Sequence, residues 1–284
     1  MDQDRGGTEG KGEEAFVVLR PRTPGRFVFA SPHSGTAYPA EMGRDPSLTE
    51  ASLRSAEDAL VDRLIAPAAD HGAMVLLGRL GRAWVDLNRD PADLDPRLIE
   101  GVPDGEMSAR TAAGYGVIPR LAGDGQALYD RRLSLDEAQA RLAGTHTPYH
   151  SALADGMMAA RARHGVAILV DWHSMPARAT EGIGGARGPD VVLGDRHGSS
   201  CDAGLTRRLR RAFEALGWRV ALNQPYAGGW TTQRWGRPSE GFHAIQIELN
   251  RALYFDETAR VPGPGWSRTG KGVARVIADL LDGA

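Results

Sequence analysis

One cysteine, Cys201, stands in 284 residues, so no internal disulfide can form and no cysteine-rich zinc site can be built. That usage points to a reducing cytoplasm. Positive charge is also in short supply. The 34 Lys and Arg against 36 Asp and Glu leave a formal charge of −2, which supplies no overall field for a phosphate backbone. A local basic patch apart, a nucleic-acid partner is not expected. No apolar run approaches the ~20 residues of a membrane helix, so no membrane partner is expected either. The leader MDQDRGGTEGKGEE (1–14) lacks the apolar core of a signal peptide and reads as a disordered polar tail. Neither a repeat nor an interdomain linker follows it, so residues 15–284 are expected to form a single domain. Hydrophobic content of 42% with 25% charged residues suffices for a large core.

What is present is a set of short apolar runs that end in polar residues. AILV (167–170), directly after the helix-like 152–164 and its Gly165 stop, reads as a fully buried parallel strand, although periodicity alone does not separate it from buried helix. Asp171, His173 and Ser174 follow at its C-terminal end, the edge of an open α/β sheet where ligands gather. RFVFA (26–30) repeats the pattern and closes on SPHSG (31–35), which carries His33. Two strands ending in histidine can be neighbours in a parallel sheet, with their imidazoles together.

Helical spacing runs through 52–71, with Glu57 and Asp58 near its start, and AMVLL (73–77) reads as a further strand, followed by AWVDL (83–87). The stretch 97–130 is rich in Gly, Pro and polar residues, holds a short strand candidate at YGVIPR (115–120), and has the character of a binding loop or lid. Ser134 followed by Glu137 forms a capping box ahead of the helix 134–143, and a second helix follows over 148–164. Residues 177–189 are Gly-rich and read as mobile. A strand at 190–193, a basic helix at 202–216, a strand at 219–222, a loop at 223–232, a strand at 244–249 and a closing helix at 270–281 complete the chain. The alternation calls for an α/β fold, a mostly parallel or mixed central sheet flanked by helices.

A hydrolytic zinc site takes three ligands from His, Asp and Glu and leaves a position for water, with a carboxylate nearby to move its proton. His33, a carboxylate from the Glu57-Asp58 pair and His173 fit the ligand roles, and Glu248, at the end of AIQIEL, fits the base. No HExxH is present and no HxxE follows either histidine, so spacing alone leaves structural roles open for these residues. Asp171 can orient an imidazole only if the strand persists through Trp172. Cys201 opens a surface helix without a positioned base and is not read as a nucleophile. Arg207, Arg208, Arg210 and Arg211 read as a solvated helix face.

The segments SPHSGTAYPAE (31–41), AEDALVDRL (56–64), VDLNRDPADLDPRLI (85–99), YGVIPR (115–120), HTPYHSAL (146–153), VDWHSMP (170–176), VVLGDRHGSSCD (191–202), NQPYAGGWTTQRWGRP (223–238) and AIQIELNRALYFDE (244–257) together resemble the N-formylglutamate amidohydrolase family. They do so in order and over most of the chain. The resemblance implies hydrolysis of N-formyl-L-glutamate to formate and L-glutamate at the end of a histidine-degradation route, with a related N-acyl amino acid or a cell-wall amide as the alternative substrate. It also implies a fold similar to zinc-dependent carboxypeptidases and deacylases. Their order of ligands and base falls here on His33, Glu57, His173 and Glu248, with Asp58 the rival to Glu57. Zn2+ is the implied metal, and the donor set also suits cobalt, manganese or iron.

A substrate with two carboxylates calls for arginine forks. Arg89 and Arg251 end two parallel Leu-Asn-Arg segments, and either can clamp a carboxylate or pair with a nearby aspartate; Asn88 stands beside the first, and Arg120 is a third candidate. His150 and Tyr226 can line the pocket or polarise the acyl oxygen, with a structural role at a helix start equally open for His150. Thr231 follows the Gly228-Gly229 pair, where backbone can approach a small anion or simply turn.

Overall fold

The computed structural model describes residues 14–180 and 188–282, so residues 1–13 of the polar tail and the Gly-rich stretch 181–187 lie outside the described residues. Seven of the described segments pair into one mixed sheet: β1 (Phe16–Leu19), β2 (Phe27–Ser31), β3 (Met74–Gly78), β4 (Ala167–Met175), β5 (Val191–Gly194), β6 (Val220–Leu222) and β7 (Phe242–Asn250). Their order across the sheet is β1-β3-β2-β4-β7-β5-β6. The centre, β3-β2-β4-β7, is parallel; β1 runs antiparallel to β3, and β5 antiparallel to β7. Central strands buried on both faces need apolar residues at every position rather than alternate ones. That is why β2 and β3 are unbroken hydrophobic runs until their last residues.

Among the described residues eight α-helices pack around the sheet: α1 (Glu50–Leu53), α2 (Val61–Ile65), α3 (Ala109–Ala112), α4 (Leu135–Arg141), α5 (Thr147–His164), α6 (Ala203–Glu214), α7 (Trp230–Trp235) and α8 (Trp266–Leu281). Val28, Ala30, Met74, Leu76, Leu169 and Ala244 meet α5 through Tyr149, Leu153 and Met157 on one face. Phe29, Val75, Val170, Trp172, Ile245 and Ile247 meet α2, α6 and α8 on the other. Trp172 packs 5.9 Å from the Phe29 ring and 6.3 Å from Phe213, which stacks on Trp218 at 5.7 Å. Among the described residues no helix is long and apolar enough to cross a membrane.

Several elements differ from the sequence expectation. The single helix over 52–71 is broken into α1, α2 and a 3-10 turn, Ala66–His71. The break lies at Asp58–Leu60, where the Asp58 N–H reaches across to the His33 carbonyl (2.9 Å) and Leu60 adopts φ +64°. A long-range hydrogen bond and a left-handed residue are incompatible with a continuing helix. Residues 83–87 and 115–120 are not strands. These apolar stretches meet each other as loops, with Asp86 N–H on the Val117 carbonyl at 2.7 Å. The loop at 223–232 gives way to α7 at Trp230. Ser134 caps α4 through the Glu137 N–H (3.1 Å), but the Glu137 carboxylate binds Arg131 and Arg141 instead of closing the box.

Candidate active site

The parallel register sets the site. Ala30 pairs with Asp171, so His33, just past the end of β2, arrives beside His173 of β4; His173 in turn pairs with Glu248 of β7. Because β4 persists as a strand to Met175, Asp171 and His173 share one face, and the same period places Gln246 with Glu248 on β7.

Each imidazole has its outer nitrogen on a carboxylate. His33 Nε2 lies 2.7 Å from Asp86 Oδ1, and His173 Nε2 lies 3.0 Å from Asp171 Oδ2. An ionised carboxylate only accepts, so each Nε2 carries the hydrogen and each Nδ1 presents a lone pair. The two Nδ1 atoms are 3.1 Å apart, with Asp58 Oδ2 3.0 Å from that of His173 and 3.4 Å from that of His33. Three buried acceptors therefore converge on one point, an arrangement that demands a positive charge among them. Ligands on a tetrahedral zinc with bonds of 2.0–2.1 Å sit about 3.3 Å apart, close to the observed triangle. Protonation obeys the same electrostatics. Burial opposes the charge on His173, yet Asp171 and Asp58 outweigh it and raise its pKa well above the ordinary value. Burial likewise opposes ionisation of Asp58, and without a cation the protonated imidazoles of His173 and His33, donating from Nδ1, overcome it and hold the carboxyl well below the usual range. Ser174 Oγ (3.2 Å) and Arg251 Nη2 (3.3 Å) take the other oxygen, Asp58 Oδ1, and leave Oδ2 for the cluster.

Glu248 is held by Gln246, whose Nε2 donates to Glu248 Oε1 at 2.8 Å while its own Oε1 accepts the Gly229 N–H at 2.8 Å. Burial pushes the Glu248 carboxyl up to about 7; the His173, Arg82 and Arg251 cations pull against that, and Asp58 adds to it. A cavity of about 280 Å³ opens over the cluster, with His33, Asp58, His173 and Glu248 in its wall beside Arg82, Arg89, Arg110 and Arg251.

Residues 25–255 match the model of the N-formylglutamate amidohydrolase family. The chain belongs to that family. It is 32% identical to an N-formylglutamate deformylase of Pseudomonas aeruginosa over 95% of this chain and 96% of the relative, and 30% identical to one of Pseudomonas putida over 82% of each. The crystal structure of an N-formylglutamate amidohydrolase from Ralstonia eutropha JMP134 superposes with a TM-score of 0.88 at 33% identity, covering 95% of this chain and 98% of that one. A gene product of Agrobacterium tumefaciens at 17% identity shares the fold, with a TM-score of 0.64 over 94% and 95% of the two chains.

Within this amidohydrolase the expected residues divide into those that face the cavity and those that do not. His33, His173, Glu248, Asn88, Arg89, Tyr226 and Arg251 line it. Glu57 does not. The group that could hold a metal contains Asp58 instead, and Glu57 turns away to a buried network with Arg54 (3.0 Å), Arg260 (2.8 Å) and Tyr38 (2.9 Å). Two guanidiniums claim the Glu57 carboxylate, while the Asp58 N–H on the His33 carbonyl (2.9 Å) ties Asp58 to the segment that carries His33. Arg120 is outside the cavity as well, paired to Asp95 at 3.1 Å.

Two further candidates act at one remove. The Thr231 N–H donates to Asn88 Oδ1 at 2.9 Å, and that bond turns Asn88 Nδ2 to donate to Asp171 Oδ2 at 3.3 Å, beside His173. A Cβ at Gly229 would lie 2.5 Å from the Asn88 amide and push it out of this position. His150 donates from Nε2 to the Leu87 carbonyl at 2.8 Å, and His146 from Nε2 to that of Arg89 at 3.0 Å, bracketing the segment that carries Asn88. Ser174 lines the cavity as its place at the strand end implied, whereas Asp86, Arg82, Arg110 and Gln246 escaped the sequence reading as site residues. For Gln246 a signal existed in its position two residues before Glu248 on a strand.

His150 also predicts how the fold responds to acid. Burial depresses its pKa to about 3, with His146 acting in the same direction. Above about pH 6.5 the ring is neutral in both folded and unfolded chains. Between there and about 3 the unfolded chain binds a proton that the folded one refuses, so stability falls by about 1.4 kcal/mol per pH unit from this group. In urea titrations from pH 8 to pH 4.5, His150→Gln is expected to start less stable than the parent and close the gap as pH drops. A gap independent of pH would contradict this.

Proposed function

We propose that the chain hydrolyses the amide of N-formyl-L-glutamate to formate and L-glutamate, with a divalent cation, zinc by its donor set, held by His33, Asp58 and His173. The observation that carries the reading is the convergence of three buried acceptors next to Glu248 in one cavity. A cation there supplies a polarised water and a Lewis acid for the acyl oxygen. Glu248 takes the proton from the attacking water as its oxygen joins the formyl carbon, and delivers it to the nitrogen as the C–N bond breaks. A carboxyl raised to about 7 suits both halves of that transfer. Gln246 fixes which Glu248 oxygen is free, through its bond to the other. Asp86 and Asp171 hold the ring hydrogens on Nε2 and so keep both Nδ1 lone pairs inward.

The cavity's electrostatics suit an acidic substrate. Four guanidiniums line it against the carboxylates of Asp58, Asp86 and Glu248. Negative charge developing on the formyl oxygen falls in that field. The single buried thiol of Cys201 supports placing the activity in the cytoplasm.

Formate release is the direct test. Chelator is expected to abolish turnover and added zinc to restore it, with N-formyl-L-glutamate preferred over N-formyl-L-aspartate and N-acetyl-L-glutamate. Equal rates on the acetyl and formyl compounds would instead favour a general N-acyl amino acid hydrolase. Turnover that survives exhaustive chelation would remove the metal from the account.

A further inference from the structure

The arginines lining the cavity are not equivalent. Arg82 Nη2 pairs with Asp86 at 2.9 Å. Arg251 reaches Asp58 at 3.3 Å and Glu257 at 3.4 Å. Arg89 donates from Nε to the Tyr115 carbonyl and from Nη1 to that of Asn88, both at 3.0 Å, and lies 3.7 Å from Asp86. Arg110 lines the same cavity from α3, and no anionic partner for its guanidinium is found among the described residues.

Its backbone is nevertheless well placed. Ser108 Oγ caps α3 by accepting the Thr111 N–H at 3.2 Å, and the following turn closes with Tyr115 N–H on the Arg110 carbonyl at 2.9 Å. The carbonyl of that same Tyr115 receives Arg89 Nε, so one turn carries Arg110 and anchors Arg89 on the same wall. The two cations feel each other. Asp86 supports the charge on Arg89, but burial together with Arg82 and Arg110 outweighs it and lowers its pKa. Like charges kept together at a cavity wall are stabilised by an anion between them.

We propose that Arg110 is the residue that selects an acidic side chain, binding the distal carboxylate of the N-acyl amino acid at the cavity mouth. The proposal rests on the amidohydrolase reading above and adds the residue that reads the charge of the substrate's side chain. It corrects the sequence expectation for Arg120, which Asp95 occupies. A guanidinium without an internal partner pays little to engage a ligand carboxylate, whereas Arg251 would have to leave Asp58. Exposed Arg110 is also positioned to meet the substrate first.

The test compares a charged and a neutral side chain of the same shape. For Arg110→Met, kcat/KM on N-formyl-L-glutamate is expected to fall about 10- to 100-fold, the range for a hydrogen bond to a charged group. On N-formyl-L-glutamine it is expected to change less than about threefold, because no charge is lost there. Arg110→Lys is expected to recover part of the loss on the acid alone. An equal fall on both substrates, or no fall on the acid, overturns the proposal. Binding separates this from failure of the proposed reaction. If the parent enzyme hydrolyses neither compound, the reaction is wrong. Calorimetry on the metal-loaded protein still reads Arg110, which predicts that the parent prefers L-glutamate to L-glutamine and that Arg110→Met loses the preference. A parent without that preference overturns the role of Arg110.

Discussion

Glu248→Gln is expected to lower kcat by about 10²- to 10⁴-fold, the usual contribution of a positioned general base, while leaving metal content unchanged. Glutamine matches glutamate in shape, so the packing against β4 and the cavity is preserved, and its amide can still meet Gln246, which donates to Glu248 Oε1 at 2.8 Å. What disappears is the ability to take and return a proton. The substitution also removes a carboxyl that burial has pushed up to about 7. A group whose ionisation is opposed by its surroundings destabilises the fold when charged. The variant's thermal midpoint is therefore expected to equal or exceed the parent's, the trade of stability for function common at active sites. Metal analysis, a melting curve and single-turnover formate release on the same preparation check all three parts. A near-normal rate would remove Glu248 from the chemistry.

Adjacent carboxylates are expected to fail in different ways. Asp58→Ala should lose the cation, since its Oδ2 completes the cluster with the two Nδ1 atoms at 3.0 Å and 3.4 Å. Loss of an outer partner alone costs 10–100-fold in metal affinity, so removing a ligand is expected to cost at least about 100-fold. Glu57→Gln should keep the cation and lose stability. The Glu57 side chain is fully buried between Arg54 and Arg260, whose own side chains are 30% and 22% exposed. Splitting a fully buried pair costs about 3–5 kcal/mol; partial hydration of these arginines, and the burial that raises the Glu57 pKa against their pull, bring the expected loss down to about 1 kcal/mol. Metal stoichiometry and urea midpoints separate the two. The reverse pattern, with Glu57→Gln metal-free and Asp58→Ala loaded, would restore the ligand set implied by family resemblance.

That contrast marks where the sequence stops being legible. The strands carrying His33, His173 and Glu248 announce themselves, because a doubly buried parallel strand must be apolar throughout and its polar residues can only appear at the open end. The choice between Glu57 and Asp58 is invisible there. It is made by the Asp58 N–H reaching the His33 carbonyl and by the left-handed Leu60, which turn one acid inward and its neighbour outward. Helical periodicity over 52–71 remains in the sequence even though a long-range bond breaks the helix. The arginines are ambiguous for a related reason. Arg110 and Arg120 share an irregular excursion with no period to assign a face, and only Asp95 decides which one is occupied. Residues 83–87 and 115–120 look like strands because each is apolar, yet each buries itself against the other as loop. His150 and Thr231 reach the site through Leu87 and Asn88 rather than by entering the cavity.

The central claim is that His33 Nδ1, His173 Nδ1 and Asp58 Oδ2 hold one divalent cation. Anomalous diffraction at the zinc edge from crystals of the zinc-loaded protein tests it most directly. One peak about 2.0–2.2 Å from all three atoms, the range for zinc bound to nitrogen and carboxylate oxygen, is the predicted result. A peak bound through either Nε2, or one that includes Glu57 in place of Asp58, would contradict it.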